Sequence, residues 1–371
     1  DELTIEIEIS SFEIGAPRAF AALGNYLYFT ADDGASGYEI WRTDGSSVAR
    51  VVDLCAASAC DGAVGVPFTS GSWVYFNGFT SATGAELWRT NGTSTTMVAD
   101  INQTFGSASS PYGFTAFGEW LYFAAADATE GNELWRTNGT TTELFLDINS
   151  TGGTGSSAPN GFTTLGDWLY FSATEGDSDT ELWRTNGTAA GRVFDIQVGG
   201  NGSSPQNLTT LGDYLYFYAY DSTHGAELWR TNGTTTELVD NIHSGADSSY
   251  PYGFTALNGY LYFQADNGTN GYELWSSDGT PTGTTMLKDI YTGSNSGSPS
   301  YMIKIGDFVY FFANDATTGS EPWKSDGTSS GTVRIADIRT GTNGSFVFCM
   351  CYDGDNARFR QYGETVIIFA D

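Results

Sequence analysis

The sequence predicts an all-β protein, a β-propeller built from four-stranded antiparallel blades. Three observations carry that prediction. The octapeptide ELWRTNGT at 86–93 returns letter for letter at 133–140, 181–188 and 227–234. Its core, Glu-x-Trp, occurs seven times, so that Trp41, Trp88, Trp135, Trp183, Trp229, Trp275 and Trp323 follow one another at intervals of 46 to 48 residues. No segment shows the apolar period of a helix, whereas short aromatic and β-branched runs alternate with turn residues throughout. A fixed period of that length marks a repeat architecture.

Within each period the elements follow in order. A phrase such as GFTTLG (161–166) gives a first strand. A phrase such as WLYFSA (168–173), apolar on both faces, gives a second. ELWRT gives the third and TELFLDI (142–148) the fourth. Asn-Gly or Asp-Gly sits between the third and fourth strands, where a tight hairpin needs positive φ. Runs apolar on both faces suit a blade covered by a neighbour on each side, and the seven Trp read as packing between blades. The repeats fall at about 19–53, 66–100, 112–147, 160–195, 206–240, 252–289 and 300–337, in one domain over 1–371.

The ends hold unmatched pieces. GETVIIFAD at 363–371 matches the second-strand phrase, and Leu3–Ile7 sits where a fourth strand would. A terminal blade of 346–371 with 2–9 would join both ends of the chain and remove exposed strand edges. The alternatives are a missing strand supplied by another molecule, which makes polymers, and a chain whose repeat continues past residue 371.

Trp-Ser-Ser-Asp-Gly-Thr at 275–280 and Trp-Lys-Ser-Asp-Gly-Thr at 323–328 resemble the signature of the ELWxxDGT-repeat family, and Asp44 keeps the same Asp-Gly. The resemblance runs over nearly the whole chain and departs from the signature in four repeats, which carry Asn for Asp. It implies a secreted or surface propeller and lends no catalytic residues.

The chain of 371 residues carries 44 acidic and 15 basic residues, a net charge of −29. Such a surface repels phosphate backbones and anionic lipid, so neither nucleic acid nor membrane insertion is expected. Four cysteines, Cys55, Cys60, Cys349 and Cys351, lie in segments that follow fourth strands and read as disulfides. The local pairing 55–60 with 349–351 is simplest by sequence, crossed bridges are the alternative, and the spacings are poor for zinc. Asn-x-Ser/Thr occurs at Asn91, Asn102, Asn138, Asn149, Asn186, Asn201, Asn207, Asn232, Asn267 and Asn343. Asn91, Asn138, Asn186 and Asn232 occupy the same turn of successive blades. They serve the turn, and they also read as an array of N-glycans on a secreted protein.

Catalytic signals are sparse. His224 and His243 sit in loops of one repeat and recur in no other, and no phosphate loop or HExxH is present. Glu39, Glu86, Glu133, Glu181, Glu227, Glu273 and Glu321 recur in every repeat, which reads as structural: buried carboxylates accepting backbone hydrogen bonds. Asp33, Asp127, Asp221 and Asp315 fall six residues before that Glu in turns rich in oxygen. Calcium suits such loops, and turn formation explains them equally without a metal. No cofactor other than covalent N-glycans is expected.

The functional expectation is a non-enzymatic secreted glycoprotein with a structural or adhesive role, such as a fibre or surface-layer subunit self-associating through its terminal strands. The alternative is a glycan-binding propeller using exposed loop aromatics such as Tyr112, Tyr250 and Tyr252. A glycan hydrolase ranks last, because hydrolysis needs two unlike carboxyls in one cleft.

Overall fold

The computed structural model describes residues 15–55, 60–150, 155–338, 340–341, 359–362 and 365–368. They form seven four-stranded antiparallel sheets, each with its strands in sequence order, and one two-stranded sheet. The sheets are the blades of a β-propeller, spanning 15–50, 63–99, 112–146, 160–194, 206–240, 252–288 and 300–334. The seven Glu-x-Trp phrases lie on the seven third strands. No helix of the described residues is long and apolar enough to cross a membrane.

Where the sequence reads one domain over 1–371, packing groups the described residues into two compact units. One runs up to 162 with 173–178, the other takes 163–172 and the residues from 179 onward. The core of each lies between consecutive sheets. In the first unit, Tyr75 and Leu87 of blade 2 pack with Leu121 and Phe123 of blade 3. In the second, Tyr216 and Leu228 of blade 5 pack with Leu261, Phe263 and Trp275 of blade 6. Trp88, Trp229 and Trp323 likewise belong to clusters shared with the preceding blade.

The octapeptide now resolves letter by letter. Its Trp pairs across the sheet with a second-strand Phe, as Trp229 does with Phe217. Its Arg lies over the aromatic ring that opens the second strand, Arg89 at 4.3 Å from Trp73 and Arg184 at 4.1 Å from Trp168. The guanidinium also reaches the next blade, where Arg89 Nη1 donates to Gly139 O at 2.9 Å and Arg184 Nη1 to Gly233 O at 2.8 Å. The Thr hydroxyl accepts the glycine N–H of the turn, as Thr137 does from Gly139 at 3.0 Å. Gly139 and Gly233 both have φ of +83°. A Cβ on Gly233 would sit 2.4 Å from the Tyr170 hydroxyl and 2.5 Å from Arg184, so glycine is required for the fit as well as for the φ.

Within each unit first strands of neighbouring blades lie against one another, those of blades 1, 2 and 3 in one and of blades 5, 6 and 7 in the other, and the strand Phe359–Tyr362 lies beside Ser300–Ile305. Phe359–Tyr362 pairs with Thr365–Ile368, the first two strands that a terminal blade would need. Residues 2–9, which were expected to complete it, lie outside the described residues, as do Cys349, Cys351 and Asn343.

Candidate functional site: a tyrosine cleft at the entry of blade 6

Five of the seven first strands, those of blades 3 to 7, are entered through a strained residue. Ser110, Ala158, Ser204, Tyr250 and Ser298 all precede a proline, and all have φ between +44° and +50°. A non-glycine residue is uncommon in that left-handed region, and a bulky one more so. The bend is kept because the residue before it is anchored. Ser109, Ser157, Ser203 and Ser249 are fully buried and donate to the repeat's glutamate. A bulge follows two or three residues later, where the pairing register slips, for example between Gln206 and Thr209 and between Tyr252 and Thr255. Bulges of this kind re-aim side chains.

At blade 6 the strained position carries a tyrosine, and the bend projects its ring outward. Tyr250 is 51% and Tyr252 56% exposed. Tyr250 stacks on Tyr218 with centroids 6.3 Å apart and planes 21° from parallel. Together with Tyr272, Gln206, Asn207, Pro251 and Gln264 these residues line a cleft of about 320 Å³. Cross-strand pairing sets their positions, Gln206 opposite Tyr218 and Tyr252 opposite Gln264. Burial pushes the phenols of Tyr218 and Tyr272 above the usual tyrosine range, so they remain neutral hydroxyl donors. Among the described residues the side-chain amides of Gln206 and Gln264 have no protein partner.

The structure thus brings together two of the three tyrosines expected to bind ligand. Tyr112 lines a different cavity, in the first unit. Tyr218, Tyr272, Gln206 and Gln264 escaped sequence reasoning. The signal was weak: Tyr218 stands at a position that varies from blade to blade, with Thr30, Asn77, Ala124, Ser172, Gln264 and Phe312 elsewhere.

The glutamates sit as their recurrence suggested. All seven are fully buried. Glu133 accepts Ile148 N and Ser157 N, both at 2.8 Å, and the Ser157 hydroxyl at 2.6 Å. Glu273 accepts Ile290 N, Tyr291 N and Gly297 N. From Glu86 to Glu273 each carboxylate therefore ties its third strand to the loop that leads into the next blade. Burial raises Glu86, Glu133 and Glu181, and carries Glu39, Glu227 and Glu273 to about 7.

Other sequence candidates serve their own turns. Asp33, Asp127, Asp221 and Asp315 each accept two N–H groups two and three residues ahead. Arg50, His224 and Arg334 take the second oxygen of Asp33, Asp221 and Asp315. His224 Nδ1 lies 2.7 Å from Asp221, and His243 Nδ1 3.3 Å from Ser248 O within its own loop. A group the sequence did not single out, Asp179, Glu181 and Asp195, gathers its oxygens within 4.8 Å. Arg192 bridges its two aspartates at 2.7 and 3.9 Å.

Among the sequons, Asn138, Asn186 and Asn232 are exposed and Asn91 is half-buried, with Oδ1 closing the turn. Asn149 is a correction. It is 6% exposed, and its Nδ2, the atom a glycan would take, donates to Gly176 O at 2.7 Å. The folded chain has no room for a sugar there. Cys55 and Cys60 form a disulfide with Cα atoms 5.7 Å apart.

No protein-family model and no curated protein matches the chain. Solved structures do. A prolyl endopeptidase is 12% identical with a TM-score of 0.50, over 86% of this chain and 49% of its own. A puromycin-hydrolyzing peptidase of Mycobacterium tuberculosis is 11% identical with a TM-score of 0.47, over 89% and 55%. The GH74 xyloglucanase of Xanthomonas campestris is 14% identical with a TM-score of 0.41, over 80% and 51%. The chain spans about half the length of these structures. At such identities the likeness is one of fold alone, and the fold it supports is the β-propeller.

Proposed function

We propose that the protein is a non-enzymatic extracellular propeller with an adhesive role, and that it binds neutral glycans at the tyrosine cleft of blades 5 and 6. One observation carries this reading: four tyrosines and three side-chain amides converge on one exposed cleft. Aromatic faces take the apolar C–H face of a pyranose, while amides and phenols exchange hydrogen bonds with its hydroxyls. The cleft lining contains no charged side chain, which suits an uncharged ligand. The disulfide at Cys55–Cys60 and the exposed turn asparagines support a secreted, glycosylated protein. The repeat carboxylates are tied down by backbone donors, which favours binding over hydrolysis.

Screening the full chain on a glycan array, then titrating the best sugar, tests the reading. The expected result is saturable binding that weakens about tenfold in Tyr250→Ala and in Tyr252→Ala, as losing an aromatic contact of about 1 kcal/mol or more implies. Sugar recovered uncleaved after long incubation fits a binding module. No sugar bound above background, or binding indifferent to both changes, overturns it, and cleaved product would make the protein an enzyme.

A further inference from the structure

We propose a second binding site, at the entry of blade 2, for a primary ammonium carried on an apolar body. It is independent of the tyrosine cleft. Its cavity, in the first unit, measures about 620 Å³. Tyr38, Val64, Val66, Phe68 and Tyr112 supply apolar wall, and Asp61 and Asn77 supply oxygen.

Three features converge there. The first is the bulge. In blade 3 two residues separate the paired positions Tyr112 and Thr115, whereas in blade 2 three residues, Gly65, Val66 and Pro67, separate Val64 from Phe68. The extra residue lifts the strand and leaves Val64 48% and Val66 49% exposed.

The second is Asp61. Its Oδ1 accepts Tyr38 N at 2.9 Å. At the equivalent position of three other seams a serine hydroxyl does that work: Ser156 for Asn132 N at 3.0 Å, Ser248 for Ala226 N at 2.9 Å, and Ser296 for Tyr272 N at 3.0 Å. One neutral oxygen satisfies the fold. The second oxygen of Asp61 and its negative charge exceed what the structure needs.

The third is Asn77, at a second-strand position that every blade fills differently, with Thr30, Ala124, Ser172, Tyr218, Gln264 and Phe312 elsewhere. Its Oδ1 is buried and lacks a hydrogen-bond partner. An orphaned buried acceptor calls for a donor.

Both free oxygens are acceptors, so the complementary ligand group is a donor. An ammonium offers three N–H donors and a positive charge, matching the Asp61 carboxylate and the Asn77 amide oxygen together. Tyrosine rings attract the same charge through their faces. No Lys or Arg lines the cavity, and the chain's net charge of −29 draws cations toward it. A quaternary ammonium has no N–H for Asn77, and an anion would meet Asp61.

Calorimetric titration of the full chain with 2-phenylethylamine, its N-acetyl and trimethylammonium derivatives, and 3-phenylpropionate tests the site. Saturable binding is expected for the primary amine, at least about tenfold weaker for the other three, and weakening with salt. Asp61→Ser, which restores the oxygen used at the other seams, should leave the melting temperature unchanged and weaken binding about tenfold or more. Tyr250→Ala, in the other unit, should leave it unaltered. Absence of binding up to about 10 mM, equal affinity for the N-acetyl derivative, or undiminished binding in Asp61→Ser would each overturn the proposal.

Discussion

The seams entered through a serine and those entered through a glycine solve one problem in two ways. At the entry to blades 3, 4, 5 and 6, Ser109, Ser157, Ser203 and Ser249 donate both N–H and hydroxyl to the buried glutamate, the hydroxyl at 2.5 to 2.6 Å. At the entry to blades 2 and 7 the residue is Gly62 or Gly297, and the carboxylate moves into the space a side chain would fill. A Cβ would lie 2.1 Å from Glu39 at Gly62, and 2.7 Å from Glu273 at Gly297. Glu273 then relies on three backbone N–H groups. Glu39 is poorer still: it accepts Leu54 N at 3.4 Å, and its Oε1 is buried without a partner. The seam with the weakest clamp is the one whose loop is closed by a disulfide, and the one whose cavity departs most from the repeat. The frame is thus held by interchangeable clamps, a serine hydroxyl at one seam and backbone N–H groups alone at another.

The comparison can be broken most sharply at the glutamates. Glu133→Leu strands two buried N–H groups and a buried hydroxyl, and should cost about 4 kcal/mol at 1–3 kcal/mol per stranded group. Glu39→Leu strands far less and should cost about 1 kcal/mol. Urea unfolding midpoints of the two variants measure the difference, and equal losses would deny it. Next come the entry residues. Gly297→Ala forces a methyl against Glu273 and should cost about 2 kcal/mol through overpacking, whereas Ser157→Ala loses one hydrogen bond to a charged group at about 1.5 kcal/mol. Thermal melts should rank them in that order.

A disulfide that closes so short a loop should contribute about 2 kcal/mol. Replacing Cys55 and Cys60 together by Ser should lower the melting temperature by a few degrees. The amine titration described above would show whether the cavity beside it survives.

A separate effect is a pH slope. Burial pushes the Glu227 and Glu273 carboxyls up to about 7, from about 4.5 in the open chain. The folded state then holds more protons than the unfolded state between those values, so stability is full below about pH 4.5 and declines as pH rises through 7. Melting temperature should fall from pH 5 to pH 8, and Glu273→Gln should flatten the slope.

The frame of the molecule was legible because its causes are local and repeated. Asn-Gly turns, the Glu-x-Trp strand and the aromatic second strand each fix one element, and their period fixes the blades. Blade starts were less clear. The repeats read from 19 and 66 begin as strands at 15 and 63, because a bulge interrupts the alternation that marks a strand. The clefts were harder. Tyr218 and Tyr272 lie 54 positions apart in the chain and meet only because sheets stack. The same limit applies to Asn149. Its sequon looks like the others until Ser156 O and Gly176 O take its amide.

The clamp also bears on how such a chain can change. Among the described residues, Glu86, Glu133, Glu181, Glu227 and Glu273 make hydrogen bonds to the loop that enters the following blade. A gene that gains or loses one whole repeat therefore keeps each such carboxylate facing its donors, with no second substitution required. Eight residues spelled identically four times are what copying leaves behind when the copied piece carries its own connector.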